Sequence, residues 1–296
     1  MEHHHQHKHT HGESNIKMAF FLNFGFTVFE IFGGIFTNSI AIISDAIHDM
    51  GDSLSLGLAW YFQKKSTKES DKNYTYGYKR FSLLGAIINS IILITGSIFV
   101  LYEAIPRLLH PETTKTQGMI VFAVIGIVVN GLAVLRLKKG SSINEKVVSL
   151  HMLEDVLGWA AILVGSLIMY FFDLQVIDPV LSVLITIYIL FHVFRNVKES
   201  LHILLQGSPT DVDMEKISQL LVSIENVDEI HDLHIWSIDG NYNILTVHVV
   251  LKQPVTIEKA VEIKNKIRSE LLQQGIEHAT IEFETTEENC SLQQCC

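Results

Sequence analysis

The sequence predicts an α-helical membrane protein with six transmembrane helices followed by a cytoplasmic α+β domain of order α-β-β-α-β. Three observations carry that expectation. Of the 296 residues, 48% are hydrophobic and only 18% are charged, against about 25% charged in a soluble domain. The long apolar runs lie within residues 18–205, whereas residues 206–296 have a soluble composition. Inside the apolar region, six stretches each approach the ~20 residues that carry a helix across a bilayer.

In chain order, residues 1–14 form a polar tail with His3, His4, His5, His7, His9 and His11. Gln6, Lys8 and Thr10 interrupt the run, so it reads as a native metal-collecting tail and not a purification tag. No basic segment leads into a cleavable apolar core, so the apolar runs are expected to stay in the mature protein. A transmembrane domain is expected over 15–206, with spans near 17–37, 40–62, 82–105, 118–137, 147–171 and 178–195. Lipid offers the backbone no hydrogen bonds, which forces helix on each span. Only Thr37-Asn38-Ser39 joins the first two. Lys64, Lys65, Lys68, Lys72, Lys79 and Arg80 lie between the second and third spans, and Arg136, Lys138, Lys139 and Lys146 between the fourth and fifth. The opposite side has only Arg107 and Lys115. The positive-inside rule then puts both termini in the cytoplasm, the chain crossing the cell membrane several times.

The second domain is expected over 207–285. Val212, Ile217, Leu220, Leu221 and Ile224 repeat at helical spacing, and so do Val261, Ile263, Ile267, Leu271 and Leu272. Residues 230–238 and 243–251 alternate like strands around an Asp239-Gly240-Asn241 turn. In 278–284, Ala279, Ile281 and Phe283 alternate with His278, Thr280, Glu282 and Glu284. This order gives a three-stranded sheet covered by two helices on one face. The tail 286–296 holds every cysteine, Cys290, Cys295 and Cys296. None is placed to staple a fold, which fits a reducing compartment.

Ionisable residues within spans are costly and are functional candidates by default. The second span holds Asp45, His48, Asp49 and Asp52, and the fifth holds His151, Glu154 and Asp155. His48 and Asp52 are four apart, as are His151 and Asp155, so each pair shares a helix face. Two such faces offer two imidazoles and two carboxylates, a set that suits Zn²⁺ in tetrahedral coordination. Two carboxylates also cancel the charge of the ion, and four protein ligands leave no open position for a catalytic water. The net charge of −10 argues against nucleic acid as a partner.

The segments SDAIHDMGDS at 44–53, SLHMLEDVLG at 149–158, YTYGYKRFSLLGAIINS at 74–90, Asp178-Pro179 and HDLHIW at 231–236 resemble the cation diffusion facilitator family over about residues 16–285. The resemblance implies six transmembrane helices, a metallochaperone-like cytoplasmic domain, a homodimer, and export of divalent metal in exchange for protons. It maps the transport site onto His48, Asp52, His151 and Asp155 and points to the zinc-transporting branch. It also implies regulatory metal ligands at His231, His248 and Glu284. Asp49 departs from the family, standing where relatives usually carry an uncharged residue, and Glu154 thickens the acidic face of the fifth span. Asp45, Asp49 and Glu154 are therefore accessory candidates, and cadmium or cobalt are further expected cargo beside zinc.

His234, His278 and Glu282 are further accessory candidates in the soluble domain. His231 and His234, three apart on a strand, are expected on opposite faces unless the strand starts after His231. Two other classes compete with a transporter. An intramembrane metalloenzyme would need an open metal position, and no H-E-x-x-H is present. A metal sensor would need only the soluble domain, and ligands in two separate spans argue against it. The expectation is a secondary transporter and not an enzyme.

Overall fold

The computed structural model describes the backbone of residues 9–66, 70–137 and 143–286, and side chains over 20–62, 70–135 and 152–286 apart from residues 22, 56, 59 and 60. The apolar runs of the first region form long helices: α1 His9–Thr37, α2 Ile40–Ser66, α3 Phe81–Leu109, α4 Thr116–Leu137, α5 Ile143–Phe172 and α6 Ile177–Leu204. Among the described residues, four stretches are long and apolar enough to cross a membrane by length and composition: Phe81–Leu109, Thr116–Leu135, Met152–Phe172 and Ile177–Leu204. α2 falls short because Asp45, Asp49 and Asp52 lie within one short stretch of it. α6 runs nine residues beyond its expected end at 195, because Asn196-Val197-Lys198-Glu199-Ser200 contains no helix breaker.

The chain divides into two compact units, one of Met1–Lys64 with Leu84–Val197, the other of Lys65–Leu83 with Lys198–Cys296. In the first unit, helices approach closely where glycine allows it. The turn between α1 and α2 places Asn38 at φ 56°. Asp178, at the start of α6, caps α2 from outside: its carboxylate accepts from the amides of Ile40 (2.8 Å) and Ala41 (3.3 Å) and from the Ser39 hydroxyl. A carboxylate there also complements the positive end of the helix dipole. Pro179 in the first turn of α6 costs no backbone bond, because amides there have no partner within the helix.

The core of this unit centres on Trp159, fully buried among Ala41, Ile42, Met119, Ala123, Ile162 and Met169. Its ring lies against Gly126 of α4: a β-carbon on that glycine would sit 2.3 Å from the ring. Gly126→Ala should therefore force the indole off its rotamer and cost about 1–3 kcal/mol, as overpacking does. Gly131, with nothing within 4 Å of an added β-carbon, is the control. Thermal unfolding in detergent should show a lower midpoint for Gly126→Ala and no loss for Gly131→Ala.

The second unit has the order α7 Met214–Val222, β1 Val227–Ser237, β2 Asn243–Leu251, α8 Ile257–Gln273 and β3 His278–Thr285. The sheet order is β1-β2-β3, with β1 antiparallel and β3 parallel to β2. α7 is shorter than expected because Asp213 caps it, accepting from the amides of Glu215 and Lys216. Thr256 does the same for α8, accepting from the amide of Lys259. In the β1–β2 hairpin Gly240 has φ 90°, and Asp239 accepts from the amides of Asn241 and Tyr242. Ile217 and Leu221 of α7 and Ile263, Ile267 and Leu271 of α8 close on Leu245, Val247, Val249 and Leu251 of β2. Both helices thus cover one face, leaving the alternate residues of the strands for the other.

The segment between α2 and α3 belongs to this second unit. Asp71 organises it, accepting from the amides of Asn73 and Tyr74 and from the Tyr78 hydroxyl. Lys79 Nζ stands 3.4 Å from the Tyr242 ring centroid, and Tyr76 meets His278 edge-on.

Candidate metal centres

Along α2 the four polar positions sweep an arc of about 100° in the order His48, Asp52, Asp45, Asp49, given 3.6 residues per turn. His48 Nε2 and Asp52 Oδ2 are 3.6 Å apart and both side chains are partly exposed. Asp45 and Asp49 are buried. Asp45 is turned to α5, where its Oδ1 lies 3.3 Å from the position a β-carbon on Gly158 would take. Gly158 is about one turn beyond Asp155, which is 5% exposed. Asp45 is within electrostatic reach of both Asp155 and Asp52. The polar faces of α2 and α5 therefore meet. Glu154 is exposed beside Tyr188 of α6. The side chain of His151 lies outside the described residues, as do the side chains of the amino-terminal histidines and Cys290, Cys295 and Cys296.

One residue of this region was absent from the sequence expectations. Glu30, on α1, is fully buried and faces Asp49, Asp45 and Asp155. The rule that selected Asp45 applies equally to it, because it interrupts an apolar run between Phe29 and Ile31.

In the sheet, strand register assembles a second cluster. His231 pairs with His248 across β1–β2, and His248 with Glu282 across β2–β3. Glu284, two residues on, shares the face of Glu282. His248 Nδ1 is 2.6 Å from Glu284 Oε1, and His231 Nε2 is 3.2 Å from Glu284 Oε2. One ligand atom from each of His231, His248 and Glu284 falls within 4.8 Å of the others. Bonds of about 2.0–2.1 Å from two imidazole nitrogens and a carboxylate are compatible with that spacing for Zn²⁺, so these residues fit a metal.

The expectation for His231 and His234 needs correction. The strand includes both, yet they share a face. A register shift lies between them: His231 opposes His248 and His234 opposes Thr246, three steps on β1 against two on β2. The extra residue is a bulge, with Asp232 at φ 49°. Asp232, also absent from the expectations, lies 2.9 Å from His234 Nε2 and 3.7 Å from His248 Nε2. Its ability to adopt a left-handed backbone was the only hint in the sequence. Glu282 is exposed, 3.5 Å from His248 Nε2. His278 pairs with Ile244 at the far end of the strand and meets Tyr76.

A first unit of long apolar helices that buries acidic side chains, joined to a small sheet carrying a His-His-Glu cluster that fits a metal, points to a multi-pass membrane protein. Comparison with known families gives the assignment. The cation efflux transmembrane domain matches residues 16–205, and the cytoplasmic domain of cation efflux proteins matches 209–286. The chain belongs to the cation efflux, or cation diffusion facilitator, family, whose members are transporters and not enzymes. It is 37% identical over 292 residues to the cadmium, cobalt and zinc/H(+)-K(+) antiporter of Bacillus velezensis, covering 96% of this chain and 93% of the relative. The metal cation efflux system protein CzcD of Cupriavidus metallidurans is 35% identical over 285 residues, covering 95% and 89%. The zinc transporter ZitB of Pectobacterium atrosepticum is 30% identical over 302 residues, covering 99% and 93%. The solved metal-bound C-terminal domain of CzcD is 31% identical, covers 25% of this chain and 99% of that chain, and superposes with a TM-score of 0.22.

Proposed function

We propose that this protein exports Zn²⁺ from the cytoplasm in exchange for protons, with His48, Asp52, His151 and Asp155 as the transport site. The observation that carries this reading is the paired His48 and Asp52 on α2, the helix whose Asp45 meets α5 at Gly158, about one turn from Asp155. Six helices would cross the cell membrane, with both termini in the cytoplasm and the domains bounded at 15–206 and 207–285. The exposed Phe21, Phe32, Ile35 and Phe36 of α1 support counting it as a span, since they offer lipid an apolar face. In α2, the acids that lower its hydropathy include buried side chains turned toward α1 and α5 and away from lipid. The similarity to the cadmium, cobalt and zinc/H(+)-K(+) antiporter of Bacillus velezensis favours a broader cargo that includes cadmium and cobalt. The test is zinc flux into proteoliposomes holding the purified protein, with cadmium and cobalt as competitors. Flux no faster than in protein-free liposomes would overturn it.

The cytoplasmic domain of a homodimer would bind regulatory Zn²⁺ through His231, His248 and Glu284. A metal bound to the folded domain stabilises it by mass action, by about 2.7 kcal/mol at a hundredfold excess over Kd. Residues 207–296 have a closed core of their own, and their melting temperature should rise with zinc. His248→Ala should abolish the rise, and no shift in the parent at saturating zinc would leave these residues as structure only.

A further inference from the structure

We propose that Asp232 is a positioning residue for the metal site on the sheet: its carboxylate accepts the Nε2 proton of His248 and so holds Nδ1 out to the metal. The inference rests on the reading that His231, His248 and Glu284 bind metal. His248 Nδ1 lies 2.6 Å from Glu284 Oε1, and His231 Nε2 lies 3.2 Å from Glu284 Oε2, so Nδ1 is the nitrogen of His248 on the side of the other two ligands. A neutral imidazole that ligates through Nδ1 carries its proton on Nε2. A ligating histidine almost always donates that second N–H to a carboxylate, a carbonyl or water, which fixes the tautomer and the ring and raises its basicity. Two carboxylates stand on the Nε2 side of His248: Glu282 Oε2 at 3.5 Å and Asp232 Oδ2 at 3.7 Å.

Burial and anchoring decide between them. The Glu282 side chain is 67% exposed and the Asp232 side chain 13%, so water screens the first far more than the second. Asp232 is also held through its other oxygen, with Oδ1 at 2.9 Å from His234 Nε2. The backbone serves the same end. In a regular strand residue 232 would point to the face opposite His231. Asp232 instead lies in the β1 bulge at φ 49°, and its carboxylate comes to the side of His248. Bulges re-aim side chains in this way beside functional sites. At 3.7 Å the Asp232–His248 pair is in charge contact but is not yet hydrogen-bonded. The hydrogen bond is expected on loading, when metal takes Nδ1 and the ring proton is confined to Nε2.

The test is a calorimetric zinc titration of residues 207–286, whose core is closed by their own side chains and which leave out Cys290, Cys295 and Cys296. Asp232→Asn and Asp232→Gly both tolerate a left-handed backbone and keep the bulge. The first removes the charge and the second removes the acceptor. Asp232→Gly should raise the Kd for zinc by ~10–100-fold and Asp232→Asn by less, with the metal-free melting temperature close to that of the parent. Glu282→Gln should leave the Kd nearly unchanged. NMR of the histidine ring nitrogens in the zinc-loaded parent should show His248 bound through Nδ1 with a slowly exchanging Nε2 proton. In Asp232→Gly that proton should exchange fast. An unchanged Kd in both Asp232 variants, an equal loss in Glu282→Gln, or His248 bound through Nε2 would each overturn the proposal while leaving the metal site standing. A parent that takes up no zinc would overturn the site itself, and this inference with it.

Discussion

Asp52→Ala and Asp155→Ala should each reduce zinc flux to that of protein-free liposomes. With both present, two neutral imidazoles and two carboxylates give the bound dication no net charge. Losing one carboxylate leaves a unit positive charge in a low-dielectric site, an effective penalty of several kcal/mol per ion. Outer-shell partners of metal ligands already cost ~10–100-fold when removed, so a direct ligand should cost more. Each variant should still insert and run at the parent size on gel filtration, because a partly exposed or single buried carboxylate supplies little packing. Near-normal flux in either variant would remove that residue from the transport site.

The parts of this molecule set by local periodicity are legible in the sequence. The 243–251 strand matches its observed bounds, because a row of Leu245, Val247, Val249 and Leu251 can face only one core. The facing of His248 toward the acidic end of β3 follows from the same two-residue period. Features that depend on a single backbone torsion or on distant partners leave no such trace. The bulge at Asp232 changes the parity of His231 and His234, and no glycine marks it. The Lys65–Leu83 segment joins the soluble unit through a lysine on a tyrosine ring and a tyrosine on a histidine, contacts invisible to any local pattern. Glu30 is different. It interrupts an apolar run as Asp45 does, but it stands alone in its span, with no histidine at helical spacing to mark it as a ligand.

Zinc export should quicken when the external side is acidified and slow when the cytoplasmic side is. The sign follows from the ligand type. An imidazole binds metal only when neutral, so protons and zinc compete for the same nitrogens. A free imidazole titrates near pH 6.5, and its neutral fraction falls from about nine-tenths to about one-tenth between pH 7.5 and 5.5. Two such ligands would weaken zinc binding by up to ~100-fold across that interval. A site open to a neutral cytoplasm therefore loads, and the same site open to an acidic exterior releases metal and returns protonated. Rocking of helices that carry the two His-Asp pairs would switch access without moving the ligands across lipid. Replacing His48 and His151 together by Asp should move the pH dependence to more acidic values, since carboxylates titrate near pH 4. It should also relax zinc preference toward harder metals, because two imidazole nitrogens are exchanged for oxygens. The measurement is zinc flux in proteoliposomes under an imposed pH gradient, with a trapped dye reporting protons. Flux indifferent to the gradient, with no opposing proton movement, would overturn antiport while leaving zinc transport standing.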